Sequence, residues 1–222
     1  MPDEAPRNSD EATPRISALR AARGDSFAVT ILVDDEVGPT VPSEAVHEHG
    51  LEVGMPWTPA LAAALGRLDA MRRCRRDALR ALERAARSRA DVEGRLRRKG
   101  HPQEAIEAVC DALERQGLLD DRGLAEGMVR GSVARSGERL LEVKLRRKGI
   151  DASLTREVIG EAIEGRDVLE DACRLLTTRL RSLPGDLEPM VRRRRLYAWL
   201  ARRGYDPETC RDAIERVLPD ES

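Results

Sequence analysis

The side chains best placed to do chemistry in this chain are cations, and they come in clusters. Arg95, Arg97, Arg98 and Lys99 make the first; Lys144, Arg146, Arg147 and Lys148 the second; Arg192, Arg193, Arg194 and Arg195, with Arg202 and Arg203, the third. Groups of this kind bind rather than cleave: a ladder of positive charge can follow a phosphate backbone or an acidic protein groove. Cations at the end of a helix also serve its macrodipole, each contributing only ~0.3–1 kcal/mol. That role accounts for one Lys or Arg per helix end. It accounts less well for three in a row, repeated.

No catalytic constellation accompanies the cations. The chain contains neither G-x-x-x-x-G-K-[ST] nor G-x-G-x-x-G, so it is not expected to hydrolyse nucleotides. Asp120-Asp121 could imitate a metal-binding carboxylate pair, but a helix cap with an acidic first turn accounts for it without a metal. His47 and His49 alternate near acidic residues with no third ligand close by, which leaves them as exposed histidines at a helix end. His101, beside Pro102, reads as a residue of a cap region. The four cysteines, Cys74, Cys110, Cys173 and Cys210, include no C-x-x-C pair. Three of them fall at inward-facing helical positions, as small reduced core residues do in a cytosolic protein. The expectation is a binding protein and not an enzyme, with no catalytic residue, metal ligand or cofactor.

The elements that must position the cations follow from a repeat. Leu96-Arg97-Arg98-Lys99-Gly100 recurs as Leu145-Arg146-Arg147-Lys148-Gly149 and, more loosely, as Leu200-Ala201-Arg202-Arg203-Gly204, with the glycines 49 and then 55 residues apart. A period in this range marks a repeated supersecondary unit. Glycine suits the left-handed stop of a helix, and the cations before it suit the negative end of the helix dipole. Apolar residues spaced by three and four give three helices per unit. In the first unit they cover residues 67–87 (Leu68, Met71, Ala78, Leu82), residues 88–99 with Ser88 as cap, and the stretch after Pro102 that carries Ile106, Val109, Cys110 and Leu113. In the second, Asp120-Asp121 opens a helix bearing Leu124, Met128 and Val129. Residues 138–148 form the next, and Asp151 caps a third carrying Leu154, Val158, Ile159, Ala162 and Ile163. In the third, Leu169, Cys173, Leu176 and Leu180 line the first helix and residues 183–186 make a turn. Asp206-Pro207 then opens the last helix, with Cys210, Ile214 and Val217. The pairs Val92/Leu96, Leu141/Leu145 and Leu196/Leu200 are equivalent, as are Cys110, Ile159 and Ile214. No unit of this size buries much core alone, so neighbours should lean on one another.

Composition agrees. Of 222 residues, 36% are charged and 2% aromatic, which favours helices packed by aliphatic stripes over a β sandwich. The net charge of -1 hides an asymmetry: four Arg against eleven Asp or Glu in residues 1–66, and 35 basic against 29 acidic residues thereafter. The basic part is therefore the part expected to meet something negatively charged. The acidic front end begins with a tail, residues 1–14, with almost nothing to bury and expected to be disordered. Residues 15–22 read equally as a strand or a short helix, and residues 27–33 are a clear strand. Residues 38–42 read as a turn and a short extended piece. Ser43 is the expected N-cap of a brief helix that Gly50 stops, residues 51–55 are extended, and Thr58-Pro59 opens a helix. With no apolar run of about 18 residues and no apolar segment after Met1, a soluble cytoplasmic chain is expected. The divisions are 1–14 (tail), 15–66 (small α/β region), and three-helix repeats at 67–118, 119–165 and 166–222.

Three stretches together resemble the RecX family of bacterial regulators of the RecA recombinase. The first is Ser88-Arg89-Ala90-Asp91 leading into Leu96-Arg97-Arg98-Lys99-Gly100. The second is Gly117-Leu118-Leu119-Asp120-Asp121-Arg122-Gly123-Leu124-Ala125-Glu126. The third is Gly137 and Leu141 before Lys144-Leu145-Arg146-Arg147-Lys148-Gly149-Ile150. The resemblance covers roughly residues 67–218, and the region through Leu51-Glu52-Val53-Gly54 is similar to the small amino-terminal region of some longer members. It implies a mainly α fold: three tandem three-helix repeats in an elongated, curved array, preceded by a small α/β region of short strands. It also implies a monomer that binds RecA and the RecA–single-stranded DNA filament and inhibits ATP hydrolysis, strand exchange and recombination, within DNA repair and the SOS response. Weak non-specific DNA binding through the fourteen cations would be secondary, and no membrane is involved. The chain departs from the family in having Leu124 and Met128 where aromatics are usual. Two other classes stand beside this reading: a helix-turn-helix-like DNA-binding regulator, and a scaffold with no nucleic-acid connection.

Overall fold

The computed structural model describes residues 13–218. Among them lie three strands, ten α-helices and one 3₁₀ turn. The chain divides into two compact units, residues 1–80 with 96–111, and residues 81–95 with 112–222.

In the first unit, β1 (Ile16–Ala22), β2 (Asp25–Val33) and β3 (Glu36–Pro42) form an antiparallel meander. The undecided stretch 15–22 is thus a strand, paired along β2 from Ile16 to Ala22. The turn expected at 38–42 lies earlier, at Asp34-Asp35. Both residues have positive φ (47° and 66°), as a two-residue hairpin turn of primed type demands. Its geometry is held by Arg15 N–H donating to the Asp34 carboxylate (3.0 Å) and Asp35 N–H donating to the Ser17 hydroxyl (2.8 Å). Pro39 falls in β3, an edge strand, where a missing donor is tolerated. Helix α1 (Ser43–Glu48) takes Pro42 as N-cap, so Ser43 is its first residue and not its cap. Residues 51–55 form a turn rather than an extended segment, tied to β1 by Ile16 N–H to the Met55 carbonyl (3.0 Å) and Gly54 N–H to the Ile16 carbonyl (2.8 Å). Thr58 caps α2 as expected, accepting from Leu61 N–H at 3.2 Å. That helix then runs unbroken over Pro59–Arg84, through the boundary placed at 66. It does so because Leu65 is fully buried in the sheet's core, with Leu61 and Leu68 packed beside it. Of the tail expected over residues 1–14, residues 1–12 lie outside the described residues; the Pro14 carbonyl accepts from Trp57 N–H.

The helices fall in threes. After α2 come α3 (Arg89–Arg98) and α4 (Gln103–Arg115). Then follow α5 (Asp121–Arg130), α6 (Glu138–Arg147) and α7 (Ala152–Ile163), and finally α8 (Val168–Leu180), α9 (Pro189–Arg202) and α10 (Pro207–Val217). Caps sit where the sequence places them: Asp120, Asp151 and Asp206 each accept backbone N–H groups of the following turn. Leu141, Leu145, Val158 and Ile159 centre one core, and Leu176, Leu196, Leu200, Cys210 and Ile214 another. Leu124 and Met128 pack against the first of these, filling with aliphatic and thioether volume the place of aromatics. A 3₁₀ turn at Val133–Arg135, which no apolar period announces, links α5 to α6.

Within the second unit the middle helices of successive repeats meet end to end. Ser88, just before α3, accepts from Asp91 N–H (3.2 Å), and its hydroxyl donates to the Lys148 carbonyl at the end of α6. One repeat later, Gly137 N–H donates to the Arg203 carbonyl (2.8 Å) and Arg139 N–H to the Gly204 carbonyl (3.3 Å). Each junction gives the orphan carbonyls of one helix to donors at the start of another, positive dipole end against negative. Arg146, Arg147 and Lys148 lie at the first of these junctions, and Arg202 and Arg203 at the second.

Candidate partner interface

The candidate cations divide into those held by the fold and those left on the surface. Lys99 is held: its ammonium lies 3.1 Å from the Asp77 carboxylate, which also contacts His101 Nε2 at 3.0 Å. Burial alone would raise the Asp77 pKa, but hydrogen bonds from His101 and Lys99 and their charge outweigh it and hold the carboxyl below its ordinary value. His101 is therefore a half-buried partner of α2 rather than only a cap-region residue. Arg95 pairs with Asp91 (3.1 Å), which also takes Arg87 (2.8 Å). Lys144 reaches the hydroxyls of Ser132 and Ser136, both at 3.3 Å, and so pins the 3₁₀ turn to α6.

Half of the third cluster is structural. Arg192 donates to the Gly185 and Leu187 carbonyls (3.0 and 3.2 Å), and Arg193 to the Leu218 carbonyl (2.8 Å). Arg203 lies over the Trp199 ring, 4.0 Å from its centroid, and donates to the Arg135 carbonyl at 3.3 Å. The Arg192–Arg195 run also sits nine to twelve residues before its glycine, so it is not the counterpart of the cations directly before Gly100 and Gly149. In the third repeat only Arg202 keeps the exposed position of Arg147.

Exposed on the surface are Arg97 and Arg98 in the first unit, and Arg146, Arg147, Lys148, Arg194, Arg195 and Arg202 in the second. Arg146, Arg147 and Lys148 are consecutive at the end of α6, beside the junction with Ser88, and no carboxylate among the described residues forms an ion pair with any of them. They form the densest uncommitted positive patch of the second unit.

The Asp120-Asp121 pair splits into two tasks. Asp120 caps α5, accepting from Gly123 N–H at 2.9 Å. Asp121 instead accepts from Arg89 N–H at 2.8 Å, so it caps the start of α3, a partner that chain order does not reveal. Burial pushes its carboxyl upward in pKa, against the opposing pull of that hydrogen bond. All four cysteines are buried thiols outside any disulfide, and burial raises the pKa of Cys74 and Cys210 to about 11. Thiols so far from ionised at neutral pH are packing groups, not nucleophiles. Among the described residues no helix is long and apolar enough to cross a membrane.

Comparison with known proteins places these features. Residues 74–113 match the family described as "RecX, first three-helix domain", and residues 166–214 match "RecX, third three-helix domain". The chain is similar to "Regulatory protein RecX" of Chlorobaculum tepidum, 33% identical over 145 residues that span 65% of this chain and 88% of the relative. The protein of the same description from Mycolicibacterium smegmatis is 38% identical over 151 residues, 64% of this chain and 78% of the relative. In structure the chain is similar to "Crystal structure of regulatory protein RecX", with a TM-score of 0.67 at 21% identity over 93% of this chain and all of that one. It is also similar to "Crystal structure of RecX from Lactobacillus salivarius", with a TM-score of 0.54 at 20% identity over 67% of this chain and 97% of that one.

Proposed function

Since the chain belongs to the RecX family of regulatory proteins, we propose that it works in the cytoplasm by binding RecA and its filament on single-stranded DNA. It acts by contact and not by catalysis, lowering RecA's ATP hydrolysis and strand exchange. The observation that carries this reading is the exposed, unpaired run Arg146-Arg147-Lys148 at a junction where the backbone is fixed on both sides. Rigid placement lets a charged patch select a partner's geometry as well as its sign. Arg97, Arg98, Arg194, Arg195 and Arg202 add exposed positive charge. The test is RecA ATPase on single-stranded DNA with the purified chain added. Hydrolysis should fall in a dose-dependent way, and unchanged hydrolysis at several-fold excess over RecA would sink the proposal.

The helix-turn-helix alternative is weaker on electrostatic grounds. A reading helix lies between two phosphate strands. Yet the third helix of every repeat carries more acids than bases: Glu104, Glu107, Asp111 and Glu114 against Arg115 in α4, and Glu208, Asp212 and Glu215 against Arg211 and Arg216 in α10. Duplex binding that is sequence-specific and survives rising salt would reinstate that alternative.

A further inference from the structure

A buried hydroxyl in the middle repeat has no partner. Thr155 is 5% exposed, its oxygen is shielded from solvent, and among the described residues it finds no hydrogen-bond partner. Thr155 stands six residues beyond Gly149; the residues six beyond Gly100 and Gly204 are Ile106 and Cys210, both fully buried. A buried hydroxyl left unpaired destabilises the fold. Where isoleucine and cysteine serve in the sister repeats, this threonine calls for a partner the chain does not supply.

Thr155 lines a groove of about 170 Å³ between α6 and α7, with Glu142 and Arg146 on one side, Ala152 and Arg156 on the other, and Ile150 between them. Among the described residues Arg146 has no ion pair, and Arg156 commits its Nε alone, which donates to the Ala152 carbonyl at 3.3 Å. The first turn of α7 contributes the positive end of its dipole. Two carboxylates stand near: Glu142 in the wall, and Asp151, already engaged by Ser153 and Leu154 N–H groups. The equivalent positions hold Glu93, Arg97, Ile106 and Glu107 in the first repeat, and Tyr197, Ala201, Cys210 and Arg211 in the third. Only the middle repeat brings two arginines to a hydroxyl.

We propose that this groove is a phosphate-binding site that takes one phosphodiester of single-stranded nucleic acid. Arg146 and Arg156 meet the non-bridging oxygens, and the Thr155 hydroxyl donates to one of them after rotating to the second χ1 well that a helical threonine can occupy. Donors converging from two helices suit the tetrahedral oxygens of phosphate better than the planar pair of a carboxylate. The site deepens the reading of the chain as a regulator of a protein–DNA filament, and rests on it for the source of the phosphate.

The test is binding of a fluorescent oligothymidylate to the full chain, by anisotropy over a range of salt. Thr155→Val should weaken binding about tenfold, leave the salt slope unchanged, and hold or raise the thermal midpoint of the free protein; Thr155→Ser should bind like wild type. Arg146→Gln and Arg156→Gln should each flatten the salt slope by about 0.7, beyond any effect of Arg181→Gln on the distant surface. A Thr155→Val protein that binds as tightly as wild type overturns the proposal, as do arginine variants no different from Arg181→Gln. Amide shifts at Thr155 and Arg156 separate the sources. Shifts with inorganic phosphate mark a free-anion site, and shifts with the oligonucleotide alone mark one that needs a strand. Shifts with polyglutamate and neither phosphate overturn it. Wild type that binds the oligonucleotide here yet leaves RecA's ATPase unchanged keeps the site and removes the regulator reading. Thr155→Val that binds normally and still inhibits RecA does the reverse.

Discussion

Gly149 and Gly204 do two jobs where Gly100 does one. All three hold positive φ, at 79°, 86° and 79° for Gly149, Gly204 and Gly100, and end a helix. Around Gly100 an added Cβ would meet nothing, whereas at Gly149 it would lie 2.7 Å from Ala90 Cβ and at Gly204 it would collide with the backbone of Leu140. Alanine at 100 should therefore cost about 1–2 kcal/mol for its backbone alone. At 149 overpacking should add a further ~1–3 kcal/mol, with 204 at least as severe because backbone cannot swing aside. Urea midpoints of the three variants check this, and equal losses would show that the close approach is not felt. Asp77 gives a second residue-scale prediction. Its carboxyl titrates lower in the fold than in the unfolded chain, so its contribution is present above the ordinary value of 3.8 and is lost as pH falls through the depressed one. Asp77→Asn should lower stability at pH 7 by about 1–3 kcal/mol, leaving His101 and Lys99 short of an anion. In acid the difference from wild type should vanish. A gap in thermal midpoint that persists at pH 2.5 would rule this origin out.

The elements show why part of the fold was legible in the sequence and part was not. Helices in the repeats declare themselves because each has one apolar stripe and one polar cap, and both are local: Asp151 and Asp206 need only their own next turn. The recurring Leu-Arg-Arg-Lys-Gly stretch supplied the grouping in threes. What escaped reading depends on partners distant in the chain. The unbroken run of α2 through residue 66 follows from the sheet that Leu65 buries against. The two tasks of Asp120 and Asp121 follow from where α3 begins, and at least six of the fourteen candidate cations turned out to be tied to carbonyls, hydroxyls, carboxylates or a ring. A run of arginines looks the same in sequence whether it faces solvent or a neighbour's carbonyls. The middle-helix junction was invisible for the same reason, and it carries the element-scale prediction. Ser88 is fully buried, caps α3, and donates to the end of α6. Ser88→Ala should remove both, at about 1–3 kcal/mol, and should raise amide exchange at the start of α3 and the end of α6 together. Exchange that rises at α3 alone would reduce Ser88 to an ordinary cap.

At the scale of the whole molecule, charge is divided between an acidic front and a basic remainder, and the exposed cations are divided between two compact units. Arg97 and Arg98 belong to the first, Arg146 and Arg147 to the second. If both patches engage one filament, each raises the effective concentration of the other at its target. Reversing Arg97 and Arg98 to glutamate, or Arg146 and Arg147, should then weaken RecA inhibition about tenfold in either case, while reversing all four should abolish it at several-fold excess. Arg146 and Arg147 project to solvent, so reversing that pair should hardly move the thermal midpoint. Salt supplies the matching control: inhibition by the wild type should weaken as ionic strength rises past the range where the Debye length falls to about 10 Å, and the response of each two-residue variant should be flatter. Full inhibition by the folded four-residue variant, with an unchanged salt response, would assign the cations to solvation and helix dipoles and send the search for the RecA-facing surface to the apolar residues left exposed, Leu118, Val143 and Met190.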